Sequence, residues 1–338
     1  MKKKQNEILL SVLDLAIIGE DHSTKQTLEH TLATAQNAEQ LGYNRFWMAE
    51  HHNMPHIASS ATSVLIGYVA GGTQKIRVGS GGIMLPNHAP LVVAEQFGTL
   101  ETLYPNRIDL GLGRAPGTDQ LTAMALRRNN MNVVNHFPEQ IQDLLTFFSK
   151  SNSSAKVRAF PGEGVDVPLW ILGSSTDSAF LAAEMGLPYV FASHFAPEQL
   201  QMAGKIYRER FKPSSQLSEP YFMPCVNAIV ASTDEEAQIL ATSFYKMFLG
   251  LVRNDRKPMQ KPSMSMEGLW NEQEEAIVYH KTACSFIGSP ESIQMELKRF
   301  CDVLEVDELM VTSPIYDHQA RMRSFELLMQ AFKLAAST

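Results

Sequence analysis

Along the whole 338-residue chain, short apolar runs alternate with longer stretches of helical period. No other feature constrains the fold as strongly. Apolar runs of four to eight residues, without a polar face, are strands buried on both sides. Strands separated by helices must be parallel, because each helix carries the chain back to the starting edge. The apolar runs fall at residues 8–15, 45–49, 76–80, 107–112, 168–172, 189–192, 226–230 and 308–312. The third continues into Gly81-Gly82-Ile83-Met84-Leu85. Helical stretches follow at 25–41, ended by Gly42, and at 59–70. Others come after Pro90, Thr118, Pro138 and Pro197, at 174–185, from Thr233-Asp234-Glu235-Glu236, from Ser289-Pro290-Glu291 and at 317–334. Eight strand–helix units predict an α/β chain closed into a (β/α)8 barrel, one domain over residues 1–338. A doubly wound open sheet would carry a glycine-rich phosphate turn after its first strand, and Leu13-Asp14-Leu15-Ala16-Ile17-Ile18-Gly19 holds none. Two stretches break the rhythm as insertions. Residues 149–164 are rich in Ser and Gly and read as a loop or small hairpin; residues 252–272 are polar, with Pro258 and Pro262, and read as a lid.

Composition narrows the function. There are 29 Lys and Arg against 36 Asp and Glu, with the basic residues scattered, so no face is built for nucleic acid. Cys225, Cys284 and Cys301 are odd in number, far apart and form no CxxC, which fits a reducing compartment. The basic start, Met1 to Lys4, is followed by an apolar run too short and too interrupted for a signal segment. No stretch approaches the ~20 apolar residues of a membrane span. The expected location is the cytoplasm.

Chemistry in such a barrel sits at the carboxyl ends of the strands. Glu50-His51-His52-Asn53 follows the second strand. Gly81-Gly82 and Pro86-Asn87-His88 follow the third, Gly113-Arg114-Ala115-Pro116-Gly117 the fourth, Gly173-Ser174-Ser175-Thr176 the fifth, and Ser193-His194 ends the sixth. Small residues at a strand-to-helix turn can present backbone N–H groups to an anion. The plainer reading is that Ser174 or Ser175 only caps a helix. Arg114 on the adjacent rim tips the balance toward a phosphate, since a guanidinium fork suits a dianion. The glycine run ending the third strand is either a bulge or a place where a flat ligand lies on bare backbone. His51 and His52 would point to opposite faces of a strand, with no third ligand at a recognisable spacing, so no metal site is expected. One His at the rim suits proton transfer near neutral pH.

These blocks together resemble the bacterial luciferase-like family of flavin-dependent monooxygenases. The matching stretches are 41–52, 76–86, 106–114 and 170–175, in order and at the right strand ends. Within the family the chain looks closest to oxidoreductases of undefined substrate. The resemblance implies a barrel binding reduced FMN, delivered by a separate NAD(P)H:flavin reductase, that oxidises a small apolar or aldehyde-like substrate with O2. By position His51 is the family's catalytic His. Arg114, with Gly173, Ser174, Ser175 and Thr176, would hold the FMN phosphate, and Arg127 or Arg128 would add a second Arg. Gly81-Gly82 takes the place of an unusual cis peptide beneath the isoalloxazine. Gly113 stands where light-emitting relatives carry a reactive Cys, which puts bioluminescence in doubt. The family also contains non-catalytic flavin-binding proteins and F420-dependent reductases. Homodimers are common in it, the one basis for expecting one here.

Overall fold

A computed structural model describes residues 8–337. In chain order the elements are β1 (Leu9–Asp14), α1 (Thr24–Leu41), β2 (Arg45–Met48), α2 (Thr62–Gly71), β3 (Arg77–Met84), α3 (Pro90–Leu103), β4 (Ile108–Gly113), α4 (Gln120–Leu126), α5 (Phe137–Phe148), β5 (Leu169–Gly173), α6 (Thr176–Met185), β6 (Tyr189–Phe191), α7 (Leu200–Arg210), β7 (Phe222–Val230), α8 (Asp234–Val252), α9 (Glu272–Lys281), β8 (Ser285–Gly288), α10 (Pro290–Leu304), β9 (Glu308–Thr312) and α11 (His318–Ser337). All the strand pairings are parallel. β1 to β7 and β9 close an eight-membered ring, β6 meeting β7 and β9 meeting β1. No helix among the described residues is long and apolar enough to cross a membrane.

The expected barrel is present, with one strand more than the sequence suggested. β8 lies outside the ring, pairing with Asn227 to Val230 at the far end of β7, while β9 takes Cys225 to Asn227. β7 is nine residues long and buried throughout, so it can serve both partners. β8 escaped notice because it has four residues and is followed at once by the Ser289 cap. Its helix α9 lay hidden at the edge of a polar stretch. Asn271 and Glu274 form a reciprocal capping box there, a signal that was readable.

Period-two alternation sorts each strand between ring interior and helix layer. In β4, Ile108, Leu110 and Leu112 join the large outer core, leaving Asp109, Gly111 and Gly113 for the other face. Trp47, Trp170, Leu13, Val190, Met223 and Met310 fill the interior. Below them a buried ionic network ties four strands. Asp109 accepts from Arg45 at 2.8 Å and Arg77 at 2.6 Å, and from the Trp47 indole at 3.1 Å. Glu308 accepts from Arg45 at 3.0 Å, Tyr221 at 2.7 Å and Ser11. Burial alone would raise the Asp109 pKa, but the two guanidinium groups hold it below the usual carboxylate range.

The first insertion is a loop, one of the two readings its sequence allowed. Residues 149–164 form no hairpin; they hold a short 3-10 turn, Lys150–Ser154, and an Arg158–Glu163 ion pair. The stretch after α8 is tied down, with Met259 bonded to both Ile18 and Glu20 in the β1–α1 loop. Met259 and Met266 are buried, and Lys261 pairs with Asp21.

Candidate active site

The loops after β2, β3 and β4 are clasped together at the carboxyl rim. His51 N–H donates to Ser59 O at 3.0 Å, His52 N–H to Gly117 O at 3.2 Å, and the Thr118 hydroxyl to His52 O at 2.7 Å. The His51 ring joins the same clasp, its Nδ1 lying 3.2 Å from Gly117 O. A carbonyl only accepts, so Nδ1 carries the proton and Nε2 keeps its lone pair. Burial holds the His51 pKa below the ordinary imidazole value, against the opposing pull of the Gly117 carbonyl and Glu50. The ring is therefore a neutral base at pH 7. His194, three residues past β6, is pushed down to about 3 by burial and by His51, and its Nδ1 has no partner among the described residues.

Glu50 and His88 complete a network that the sequence did not reveal. The Glu50 carboxylate accepts from His52 Nε2 at 2.8 Å, from His88 Nε2 at 2.9 Å and from the Met84 amide at 3.2 Å. It is 1% exposed, so its charge depends on these donors. The third group missing from the sequence reading of the histidines is thus present, and the ligand atoms of Glu50, His52 and His88 lie within 4.8 Å of one another. Here the carboxylate serves to lock two imidazoles beside His51. Burial would raise the Glu50 pKa, but the two imidazoles outweigh it and bring it to about 2. A lowered folded-state pKa adds stability that is complete above the unfolded value of 4.5 and lost as pH falls toward 2. The stability difference between wild type and Glu50→Gln, from urea melts, is expected to shrink across that window. A difference constant from pH 6 to 3 would contradict the assignment.

The Arg114 edge is built from β4, β5 and α6. Arg114 Nη2 lies 3.5 Å from Asp177 Oδ2 in the first turn of α6, so the guanidinium and the helix start share one edge of the rim. The pair is 50% and 71% exposed, worth under about 1 kcal/mol and easily displaced by a stronger anion. Ser175 occupies the N-cap position, but its side chain makes no capping bond. Ser175 is therefore not a side-chain cap of α6. The Ser175 carbonyl instead accepts from Ser178 at 2.6 Å and Tyr189 at 3.2 Å, and the Thr176 amide donates to Gln199 at 2.9 Å.

Arg127 and Arg128, indistinguishable in sequence, separate in space. Arg127 is buried, donates to Asn87 Oδ1 at 2.9 Å and leaves Nη2 without a partner. Asn87 in turn donates to Pro116 O at 2.9 Å, two residues from Arg114. Arg128 has φ +50° and is exposed. The Gly81–Gly82 peptide is cis. A Cβ at Gly82 would lie 2.7 Å from the backbone carbonyl of Gly111, and one at Gly81 would lie 2.6 Å from the Leu13 side chain and force it to move.

Residues 9–304 match the family of luciferase-like monooxygenases. The chain is 51% identical over 331 residues to the uncharacterized protein YvbT of Bacillus subtilis, covering 98% of each. It is 35% identical over 332 residues to the N-acetyl-S-alkylcysteine monooxygenase of the same organism, covering 96% of this chain and 98% of that one. The crystal structure of apo-MsnO8 superposes with TM-score 0.86 at 32% identity, covering 97% and 99%. More distant chains at 17% and 16% identity, solved with FMN and with an F420 adduct, share the fold. On the match over most of its length, the chain belongs to the luciferase-like monooxygenase family.

Proposed function

We propose that the chain is a monooxygenase that uses reduced FMN and O2 to oxidise a small apolar or aldehyde-like substrate. The observation that carries this reading is the shared rim: a half-buried, neutral His51 and a guanidinium–helix pair at Arg114 and α6 open on the same end of the barrel. The donor set fits a flavin mononucleotide. Arg114, Gly173, Ser174, Ser175 and Thr176 would hold its phosphate. Arg127, with a buried unpartnered Nη2, would supply the second guanidinium. The bare backbone of Gly81-Gly82 would underlie the ring. When bound, reduced FMN supplies the electrons for O2 activation, delivered by a separate NAD(P)H:flavin reductase. His51 Nε2 moves a proton at the reacting centre, with its ring fixed by the Gly117 carbonyl. A relative named as a monooxygenase at 35% identity supports oxygenase chemistry.

The test is oxygen uptake with a flavin reductase, NADH and FMN, with aldehydes and thioethers offered in turn. Substrate-dependent uptake with oxidised product is expected. Tight FMN binding with no substrate-dependent uptake would make the chain a flavin-binding protein, and preferential binding of F420 would make it a deazaflavin enzyme.

A further inference from the structure

A cavity of about 260 Å³ opens between the loop after β2 and the end of α8 with the stretch that follows it. It shares no lining residue with the Arg114 edge. His56, Lys246, Arg253, Arg256 and Lys257 line it, with Asp255 as its one acid; Met247, Leu249 and Leu269 are among its apolar residues. In a chain of net charge −7 this local excess of cations needs an account. Two of them are already neutralised: Arg253 is held by Glu274 at 2.7 Å and Lys257 by Asp255 at 2.6 Å. Lys246 donates to the Lys261 carbonyl at 2.7 Å and feels the Glu20 carboxylate, with no ion pair of its own among the described residues. Arg256 has no carboxylate and no hydrogen-bond partner among the described residues. His56 is 4% exposed, with a buried Nδ1 that finds no partner. A buried polar atom without a partner is costly, and beside an unpaired guanidinium it marks a place for a polar ligand.

The walls of the cavity are tied to the β1–α1 loop at the carboxyl rim. The His56 carbonyl accepts from Ile18, and Met259, three residues after Arg256, is bonded on both sides of the same β1–α1 loop. Arg256 stands close enough to both His51 and His56 to oppose their protonation.

We infer that this cavity holds the acidic end of the substrate, a carboxylate gripped by Arg256 and Lys246 and hydrogen-bonded by His56, with the apolar remainder of the molecule directed toward His51. The inference rests on the reading of the rim as an oxygenase site and narrows its substrate class from apolar molecules to amphiphilic acids. A guanidinium without a carboxylate partner favours an anion over its neutral isostere by about tenfold or more.

Calorimetric titration of the full chain at low salt, with octanoate and octanamide as probes, reads this directly. Octanoate is expected to bind at least about tenfold tighter than octanamide. Arg256→Gln should erase that preference, Arg256→Lys should keep most of it, and FMN affinity should be the same in all three proteins. Equal binding of the two probes, binding of neither, or a preference that survives Arg256→Gln would overturn the inference. So would a loss of FMN affinity in Arg256→Gln, which would assign Arg256 to the cofactor's phosphate instead. Failure of the oxygenase reading looks different: no reduced-FMN-dependent uptake, with the carboxylate preference intact.

Discussion

His51→Ala is expected to lower reduced-FMN-dependent oxygenation by about a hundredfold or more while leaving FMN affinity at the wild-type level. The expectation follows from how the ring is held. Its Nδ1 proton is committed to the Gly117 carbonyl and burial keeps it neutral, so Nε2 is a base in the right form without waiting for a proton to leave. Proton transfer by a positioned group contributes about 10²–10⁴ in rate, and removal of the imidazole forfeits that factor without touching the phosphate edge. The pH profile carries a second mark of the same residue. A base with a lowered pKa stays neutral to lower pH, so the acid limb of kcat/KM should fall below 6.5, the ordinary imidazole value. Oxygen uptake over a range of substrate concentrations and pH, beside FMN fluorescence quenching, measures turnover, kcat/KM and FMN affinity. Wild-type turnover in His51→Ala would take the residue out of the mechanism.

Asp109→Asn should be the most destabilising conservative change in the molecule. Asp109 is fully buried and takes hydrogen bonds from two guanidinium groups and an indole, and Arg45 is shared with the equally buried Glu308. Removing one partner of a buried pair strands the other charge away from water, at a cost of about 3–5 kcal/mol. That is a large share of the ~5–15 kcal/mol that holds a native chain together. The network ties the amino ends of β2, β3, β4 and β9, opposite the rim, so the loss should appear in stability and not in the chemistry of the folded fraction. Urea denaturation is the measurement. A midpoint unchanged from wild type would show that Arg45 and Arg77 find water or Glu308 instead.

Much of this fold was legible because its strands are buried on both faces. Ile108-Asp109-Leu110-Gly111-Leu112-Gly113 shows how the reading works: large residues at every second place face the helices, and small or charged ones face the ring. What escaped was short or depended on long-range contact. β8 has four residues and no helix of obvious period before it. Arg127 and Arg128 are neighbours where α4 ends, and only the chain's path onto Asn87 decides which of them turns inward. Glu50 and His88 are separated by 38 residues, and no local spacing announces that one carboxylate will accept from His52 and His88 together. Arg256 was lost in a stretch that looked like a plain polar insertion, since a free guanidinium cannot be told from a paired one until its neighbours are known. The rim motifs could be placed from sequence because strand ends in a closed parallel ring all open on one side.

The central claim is that Arg114 and the start of α6 grip a phosphate. FMN and riboflavin differ only in that group, so their affinities for wild type and Arg114→Gln form a closed comparison. Wild type is expected to prefer FMN by about ten- to a hundredfold, and Arg114→Gln to lose most of that preference while riboflavin binding stays the same. Equal affinity of wild type for the two flavins, or an undiminished preference in Arg114→Gln, would contradict it.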